Sequence, residues 1–326
     1  TPSLLNDKEI RQLLNTIQDV FPVHPTAEIT LEANPDDLSL KKVNELQQAG
    51  INRLSIGIQS FHEPHLRFMN RAHNRNEAIN CVKHAQDIGI TNISIDLIYG
   101  VPTQYDDLAH SGIYQHDIWH QDLAQALALA PKHISAYCLT IESETVFGRW
   151  ERQHKLPPIH EEFAAEQFEI LLSTLADHHY QQYEISNFCL AGWHSKHNSN
   201  YWLGVPYLGI GPSAHSFNGH SRQYNVRNNA RYIKSLAQQQ IPFEKEVLTQ
   251  ADRINEYIMT SLRTSWGCSL DFLLDNCAYD LAQEQAQELD FQQAQGTLSL
   301  KNRVMHLTQK GKLLADQVAE RFFVSK

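Results

Sequence analysis

The amino-acid sequence predicts an α/β fold in which parallel strands form a barrel and helices pack outside it. The main observation is three strand-like runs separated by helical segments, at residues 28–32, 53–59 and 92–98. Within each run, large apolar residues alternate with small or polar ones. Strands joined by helices indicate parallel βα units with helices on the apolar face. The small, polar face then points inward, which favours a barrel with room for a ligand.

Length and composition narrow the class of protein. The chain has 326 residues, 42% of them hydrophobic, which is enough for one large or two moderate domains. A formal net charge of -10 argues against a nucleic-acid partner, because phosphate binding usually needs a basic face. No apolar run approaches the ~20 residues that a transmembrane helix needs. We therefore expect a cytoplasmic protein without a transmembrane segment.

Polar side chains lie late in each of the three runs. They are Glu32, Gln59 and Asp96. In a parallel barrel the carboxyl ends of the strands meet at one mouth, where ligands usually bind. A single polar residue at a strand end is often only solvated, but three together predict a ligand site.

The segments before and between the strands have apolar residues at helical spacing, which predicts helices there. Before the first strand the helical pattern is Ile10, Leu13, Leu14 and Ile17, after the capping residues Asn6 and Asp7. Between the first two strands the buried stripe is predicted as Leu40, Val43 and Leu46, started by Ser39 and ended by Gly50. The next helix carries Ala78, Val82 and Ala85 and ends at Gly89. A fourth strand is predicted at residues 133–141.

Three sequence motifs then carry a resemblance that covers essentially the whole chain. They are ITLEANP at residues 29–35, NRLSIGIQSF at 52–61 and IDLIYGVP at 95–102. The chain resembles the radical S-adenosylmethionine (SAM) family, in the group of oxygen-independent coproporphyrinogen III oxidase and the HemW-type haem chaperone. The resemblance implies a partial (β/α)6-type barrel whose first strands precede residue 1.

The resemblance also implies a SAM pocket. Glu32 and Arg71 would hold the methionyl end of SAM, and Gln59 and Asp96 its ribose. The resemblance places Thr1 and Thr140 in the same pocket. Chemically the set is suitable, because SAM offers an amino group, a carboxylate and hydroxyls, and the planar guanidinium of arginine can bind both carboxylate oxygens.

The chain departs from the family pattern at the iron-sulfur cluster. The family's CxxxCxxC motif for a four-iron four-sulfur cluster is missing, and the five cysteines are widely spaced: Cys81, Cys138, Cys189, Cys268 and Cys277. The first residues, Thr1 and Pro2, look like the tail of the family's GGGTP motif. The cluster cysteines are therefore expected upstream of residue 1, and residues 1–326 alone are expected to hold no cluster.

A segment rich in histidine and aromatic residues follows, with the run HNSNYW at residues 197–202. Taken alone, His197 would be a hydrogen-bonded histidine beside an aromatic cluster. The run also matches HNxxYW, a motif of the haem-chaperone branch, which makes His197 a candidate haem ligand. His194 and His215 are the competing candidates. The glycines of residues 207–217 indicate close backbone packing.

The pattern changes near residue 228, which divides the chain into predicted domains 1–227 and 228–326. The second has helical patterns at residues 253–265, 270–275 and 279–289, strand-like pieces at 297–300 and 304–307, and a last helix capped by Thr308. This order resembles a winged-helix module. Because no basic recognition face is visible, we interpret it as a lid or docking domain.

Two main functional classes remain open at the level of sequence. The favoured hypothesis is a haem chaperone that binds haem or a porphyrin and SAM and delivers haem to an accepting protein. The alternative is an oxygen-independent coproporphyrinogen III oxidase, which decarboxylates propionate groups oxidatively. A third, weaker hypothesis is a barrel lyase or epimerase unrelated to iron.

Overall fold

The computed structural model describes residues 2–102, 115–156 and 160–325. Thr1 and most of the loop predicted between residues 102 and 120 lie outside these described residues. The first part of the chain forms, in order, α1 Asp7–Val20, β1 Thr30–Ala33, α2 Leu40–Ala49, β2 Arg53–Gln59, α3 Glu63–Phe68, α4 Arg75–Ile88, β3 Ile93–Tyr99, α5 Asp117–Ala128, β4 His133–Cys138, α6 Val146–Arg152, α7 Glu161–Asp177, β5 Gln181–Glu184 and β6 Asn187–Cys189.

These strands form one six-stranded sheet in the order β1-β2-β3-β4-β6-β5. Neighbours from β1 to β4 are parallel, as predicted, and β6 runs antiparallel to β4. The predicted bounds of β2 are confirmed, and those of β1 and β3 differ by one or two residues. The parallel strands bring their carboxyl ends to the same edge of the sheet.

Local chemistry explains where the helices begin and end. Asn6 and Asn74 each form a capping box at the start of α1 and α4, and Ser39 caps α2. Gly50 and Gly89 end α2 and α4 with left-handed φ angles of 106° and 93°, which glycine adopts without strain. The caps at Asn6, Ser39, Gly50 and Gly89 confirm the predicted helix ends, and the sequence patterns did not predict the cap at Asn74.

The apolar face of the sheet is buried as predicted, but two helices bury less than expected. Leu54, Ile56 and Ile58 of β2 have no exposed surface. The prediction that Leu40 is buried is wrong, since this side chain is 48% exposed, and Leu13 of the apolar pattern in α1 is 54% exposed. The stripe of each helix that contacts its neighbours is narrower than the apolar pattern, so residues at its margin face solvent.

The chain divides into two compact units. One is Thr1–Gln182 with Ser186–His194, and the other is Tyr183–Ile185 with Ser195–Lys326. This division lies earlier in the chain than the predicted boundary after residue 227, which stays a prediction.

The second unit contains α8 Lys196–Trp202, β7 His215–Phe217, β8 Ser221–Asn225, α9 Asn229–Ala237, β9 Phe243–Val247, α10 Gln250–Leu262, β10 Cys268–Ser269, α11 Leu270–Cys277, α12 Leu281–Glu284, α13 Ala286–Ala294, β11 Leu298–Lys301, β12 Val304–Leu307, α14 Gln309–Leu313 and α15 Ala315–Glu320. Strands β7, β8 and β9 form an antiparallel sheet that the sequence patterns did not predict. The C-terminal helices pack around the sheet β10-β12-β11 in a winged-helix-like arrangement, and Thr308 caps α14 as predicted.

None of the helices within the described residues has the length and apolar character needed to cross a membrane.

Candidate functional site

Arg71 and Gln59 meet at the carboxyl end of β2. Arg71 Nη2 donates to Asn34 Oδ1 at 2.8 Å and to the Gly57 carbonyl oxygen at 3.1 Å. A Cβ atom on Gly57 would lie 2.8 Å from Gln59 Nε2 and 3.2 Å from Arg71 Nη2. Because Gly57 has no side chain, the Gln59 amide and the Arg71 guanidinium can pack directly over it, and the structure brings together two of the predicted site residues.

The backbone after α3 positions Arg71. Asn70 adopts a left-handed φ of 52°, and the N–H groups of Asn70 and Arg71 donate to the carbonyls of Arg67 and Leu66. This pair of bonds is the Schellman motif, in which asparagine replaces the more common glycine. The motif ends the helix and directs Arg71 back toward β2. Burial lowers the pKa of the Arg71 guanidinium, and Asp36 and Asp96 oppose that effect.

Asp96 lies inside the sheet's polar face, with its carboxylate in low-dielectric surroundings. Its Oδ1 atom is 3.5 Å from Ser55 Oγ, and Ser135 is a second hydrogen-bonding partner. The pKa of Asp96 is raised to about 6, mainly by burial and also by Glu32, while Ser135, Arg53 and Ser55 oppose the rise. Asp96 can therefore accept hydrogen bonds as a carboxylate at neutral pH, but it titrates close to that range.

Glu32 and Thr140 lie on either side of these residues along the sheet. Glu32 is exposed and pairs in register with Ser55 of β2. Thr140 follows the end of β4, and its hydroxyl donates to the Cys138 carbonyl at 3.3 Å. Glu32 acts on Asp96 electrostatically, which places the two carboxyl groups in one neighbourhood. Thr1 lies outside the described residues.

A polar layer lies under Asp96 in the same unit. Ser94 Oγ is 2.7 Å from His133 Nδ1, and Arg53 Nε is 4.0 Å from Glu28 Oε2. Burial lowers the pKa of His133 to about 3, and Arg53 lowers it too, so this imidazole is neutral at physiological pH. The neighbouring positive charge on Arg53 stabilises Asp96 as an anion.

Sequence reasoning missed the partners that hold the site residues. Asn34 and the Gly57 carbonyl bind Arg71, and Ser55 and Ser135 bind Asp96. The signal for the serines was present, because they occupy the same inward parity as Asp96 on neighbouring strands. The alternation predicts a small inner face, and the serine hydroxyls on that face are also hydrogen-bond donors to Asp96.

The cysteines do not form a cluster of ligands. Four are buried and only Cys138 is exposed. Within residues 2–102, 115–156 and 160–325, no group of three or more histidine, cysteine, aspartate or glutamate side chains could hold a metal ion. The described residues therefore do not fit a four-iron four-sulfur cluster.

His197 lies in the second unit, in the first turn of α8. The hydroxyl of Ser195 caps this helix by accepting from the Asn198 N–H at 3.3 Å. The His197 ring is exposed and contacts the Tyr201 ring edge to face, with 4.7 Å between centroids. Tyr201 contacts Tyr207 at 4.6 Å, and Tyr207 contacts Phe217 at 6.2 Å. A continuous row of aromatic rings therefore begins at His197.

Exposed aliphatic residues surround this row in the sequence. Leu208 and Ile210, which follow Tyr207, are 63% and 70% exposed, and Tyr201 of the row itself is 43% exposed. Between Leu208 and Ile210, Gly209 packs against the backbone of His215, since a Cβ atom at Gly209 would lie 2.0 Å from that carbonyl oxygen. The close backbone packing predicted for the glycines of residues 207–217 is confirmed at Gly209 and is wrong at Gly211, where a Cβ atom would have no neighbour within 4 Å. His215 contacts Tyr224, with 5.7 Å between ring centroids, and His194 belongs to the first unit.

Comparison with known proteins relates the chain to two protein families. Residues 1–110 match the radical SAM superfamily, and residues 248–314 match the HemN C-terminal domain. The chain is 34% identical to Heme chaperone HemW of Bacillus subtilis over 99% of this chain and 83% of that protein. It is 32% identical to Heme chaperone HemW of Lactococcus lactis, with the same coverage of 99% and 83%.

A solved structure, coproporphyrinogen III oxidase (HemN) from Escherichia coli, has the same fold. The TM-score is 0.81 over 99% of this chain and 76% of that one, at 23% sequence identity. At that identity the likeness supports the fold alone. The identity and coverage of the two chaperone sequences, together with the radical SAM match, show that this chain belongs to the HemW heme chaperone family of radical SAM proteins.

Proposed function

We propose that this protein binds haem and delivers it to an accepting protein, and that it also binds SAM. The observation that carries the proposal is the similarity to Heme chaperone HemW proteins along almost the entire chain, at 34% and 32% identity. The coproporphyrinogen III oxidase alternative has less in its favour, namely a fold likeness at 23% identity and a match of residues 248–314 to the HemN C-terminal domain. We assign the protein to the cytoplasm.

SAM fits the residues at the strand ends. Arg71 offers a guanidinium to the cofactor's carboxylate, and Glu32 offers a carboxylate to its amino group. Gln59 and Asp96 offer hydrogen bonds to ribose hydroxyls. Gly57 allows the Gln59 and Arg71 side chains to approach the β2 backbone, because a Cβ atom at this position would crowd both of them. Thr140 and Thr1 complete the proposed set. When bound, SAM supplies a reactive sulfonium group.

The characteristic cofactor set of the radical SAM family also includes a four-iron four-sulfur cluster. The described residues supply no ligand set for it, so we assign no role in this cluster to any of them. The roles that we propose for the chain are to bind and orient SAM and to bind haem.

The surface that starts at His197 suits haem. Imidazole is a common ligand of haem iron, and His197 is exposed. The row of rings from Tyr201 to Phe217 and the exposed side chains of Leu208 and Ile210 offer an apolar face to a porphyrin. An open surface of this kind is accessible both to free haem and to a second protein that receives it.

Haem titration followed by absorption spectroscopy tests this proposal. The wild type should show saturable binding with a Soret band typical of an imidazole ligand. We expect His197→Ala to change that spectrum, and the control variants His194→Ala and His215→Ala to leave it unchanged. Saturable binding with an unchanged spectrum in His197→Ala would exclude His197 as the ligand.

A separate assay distinguishes the chaperone from the oxidase. Incubation of the anaerobically reconstituted protein with coproporphyrinogen III, SAM, an electron donor and an electron acceptor should leave the porphyrinogen unconsumed, while haem binds. If the wild type bound no haem but consumed coproporphyrinogen III, the chaperone proposal would be wrong and the oxidase would replace it.

A further inference from the structure

Gln59 occupies the centre of a tight turn at the end of β2. The Ser60 N–H donates to the Ile58 carbonyl at 2.9 Å, across a single residue, and Gln59 has a φ of 69°. The pairing register between β2 and β3 shifts at this point. A γ-turn with positive φ is rare and strained for a residue other than glycine. The surrounding structure must therefore hold Gln59 in this conformation.

Asp122 of α5 binds the two residues that follow Gln59. Its Oδ2 atom accepts from the Ser60 hydroxyl at 2.6 Å, and its Oδ1 atom accepts from the Phe61 N–H at 2.8 Å. Ser60 Oγ in turn accepts from the His62 N–H at 3.0 Å. Ser60, Phe61 and Asp122 are all at most 2% exposed. A buried carboxylate thus fixes both of its oxygens on the turn, and hydrogen bonds to a charged group are stronger than neutral ones.

The charge of Asp122 is consistent with this arrangement. Burial raises the pKa of Asp122 to about 6, and Ser60, Phe61 and Arg75 oppose that effect. His62, Glu63 and Arg75 line the same small cavity as Asp122. At pH 7.5 the Asp122 carboxyl is ionised, so each oxygen can accept a hydrogen bond.

A second group holds the turn from the other side. His73 is 3% exposed, and its Nε2 atom is 3.0 Å from the Ile58 carbonyl oxygen, which also accepts from Ser60. Burial is the main cause of a lowered pKa of His73, so the ring is neutral and its Nε2–H can donate. Both ends of the strained turn are therefore tied to buried side chains outside it.

We infer that Asp122 is a positioning residue for SAM binding: it holds the strained turn that places the Gln59 amide beside Gly57 and Arg71. Asp122 is not one of the residues that we propose to contact SAM. The inference rests on the proposed SAM pocket and extends it to α5, a helix in which the sequence motifs assign no functional residue.

Asp122→Asn tests the inference, because asparagine keeps the size but offers only one acceptor. Titration calorimetry at pH 7.5 should show about three- to tenfold weaker SAM binding, the range expected for one neutral hydrogen bond. Hydrogen exchange should become at least about tenfold faster at the Ser60 and Phe61 amides and stay unchanged along the rest of α5. Ser60→Ala removes the hydroxyl that donates to Asp122 Oδ2 and should have the same effects on SAM affinity and exchange.

Leu123→Ala is the matched control, since Leu123 is a buried neighbour of Asp122 on the same helix. It lowers stability through a cavity and leaves the turn bonds in place, so its SAM affinity should equal that of the wild type. Equal affinity losses in Leu123→Ala and Asp122→Asn, or wild-type affinity and exchange in Asp122→Asn, would overturn the inference. If the wild type bound no SAM, the proposed pocket itself would fail, which is a distinct result.

Discussion

The proposed SAM pocket at the strand ends and the proposed haem surface at His197 differ in how their side chains are held. In the pocket, Arg71 and Asp96 are hydrogen-bonded to neighbouring strands and loops, and Gln59 is fixed by a strained turn. At the surface, His197 and Tyr201 are exposed and contact each other through ring edges. One site is polar and interlocked, and the other is aromatic and open.

This difference indicates two kinds of binding. A prearranged polar pocket loses little conformational entropy when it binds a small cofactor, which favours a fixed orientation. An open apolar surface gains affinity mainly from buried area, so a flat ligand can bind and leave without breaking a hydrogen-bond network. We therefore expect substitutions at one site to leave binding at the other unchanged.

Arg71→Ala should have the largest effect. Losing a buried hydrogen-bond partner of a charged group costs on the order of 1.5 to 3 kcal/mol, or roughly a ten- to hundredfold weaker SAM affinity. Calorimetry measures that affinity, and the exposed Arg67→Ala on α3 is the control. Haem affinity should not change. Unchanged SAM affinity in both Arg71→Ala and Asp96→Ala would exclude the pocket.

Ile210→Asp should weaken haem binding about tenfold, because it replaces apolar surface beside the aromatic row with a charge. Ile210 is 70% exposed, so the fold should tolerate the change. Ile233→Asp, at a similarly exposed position on α9, serves as control in the same spectroscopic titration. Comparable losses in both variants would show that the effect is general surface charge, and a loss of SAM binding would contradict the separation of the two sites.

Asp96→Asn should stabilise the fold by about 1–2 kcal/mol at pH 8 while it weakens SAM binding. A pKa raised to about 6 means that the folded state binds the proton more tightly than the unfolded state does. The contribution of Asp96 to the free energy of unfolding therefore falls as pH rises from about 4 to 6. Above pH 6 the carboxyl is ionised in both states, and its burial destabilises the folded state by the full amount. Urea unfolding of both proteins at pH 8 and pH 5 should show a smaller stabilisation at pH 5. If Asp96→Asn raised the free energy of unfolding equally at both pH values, burial of the Asp96 carboxylate would not be what destabilises the wild type.

Much of the first unit could be predicted from sequence because its signals are local and periodic. The alternation in residues 53–59 gave the bounds of β2, and Ser39, Gly50 and Gly89 gave the ends of the helices. The parallel order followed from the intervening helices. Assigning particular roles to Glu32, Gln59, Arg71, Asp96 and Thr140 required the family resemblance, and these roles stay predictions.

Other features depend on contacts between residues far apart in sequence. Asp122 is 62 residues from Ser60 along the chain, so no local pattern links them. The sheet of β7, β8 and β9 has short strands with charged residues, such as FEKEV in β9, whose alternation is too weak to indicate a strand. The left-handed φ of Asn70 has a local signal, since asparagine tolerates that conformation, but the pattern does not show that it directs Arg71.

Thr140→Ala should have the smallest effect at the pocket. The Thr140 hydroxyl already donates to the Cys138 carbonyl at 3.3 Å, a long bond at an exposed position. A neutral hydrogen bond to SAM would then contribute about 0.5 to 1 kcal/mol, or roughly a two- to fivefold change in affinity. Thr140→Ser keeps the hydroxyl and should bind SAM like the wild type. If both substitutions weakened binding equally, the Thr140 methyl group would be the contact with SAM. If Thr140→Ala weakened SAM binding as much as Arg71→Ala does, the exposed Thr140 would contribute as much to SAM affinity as the hydrogen-bonded Arg71.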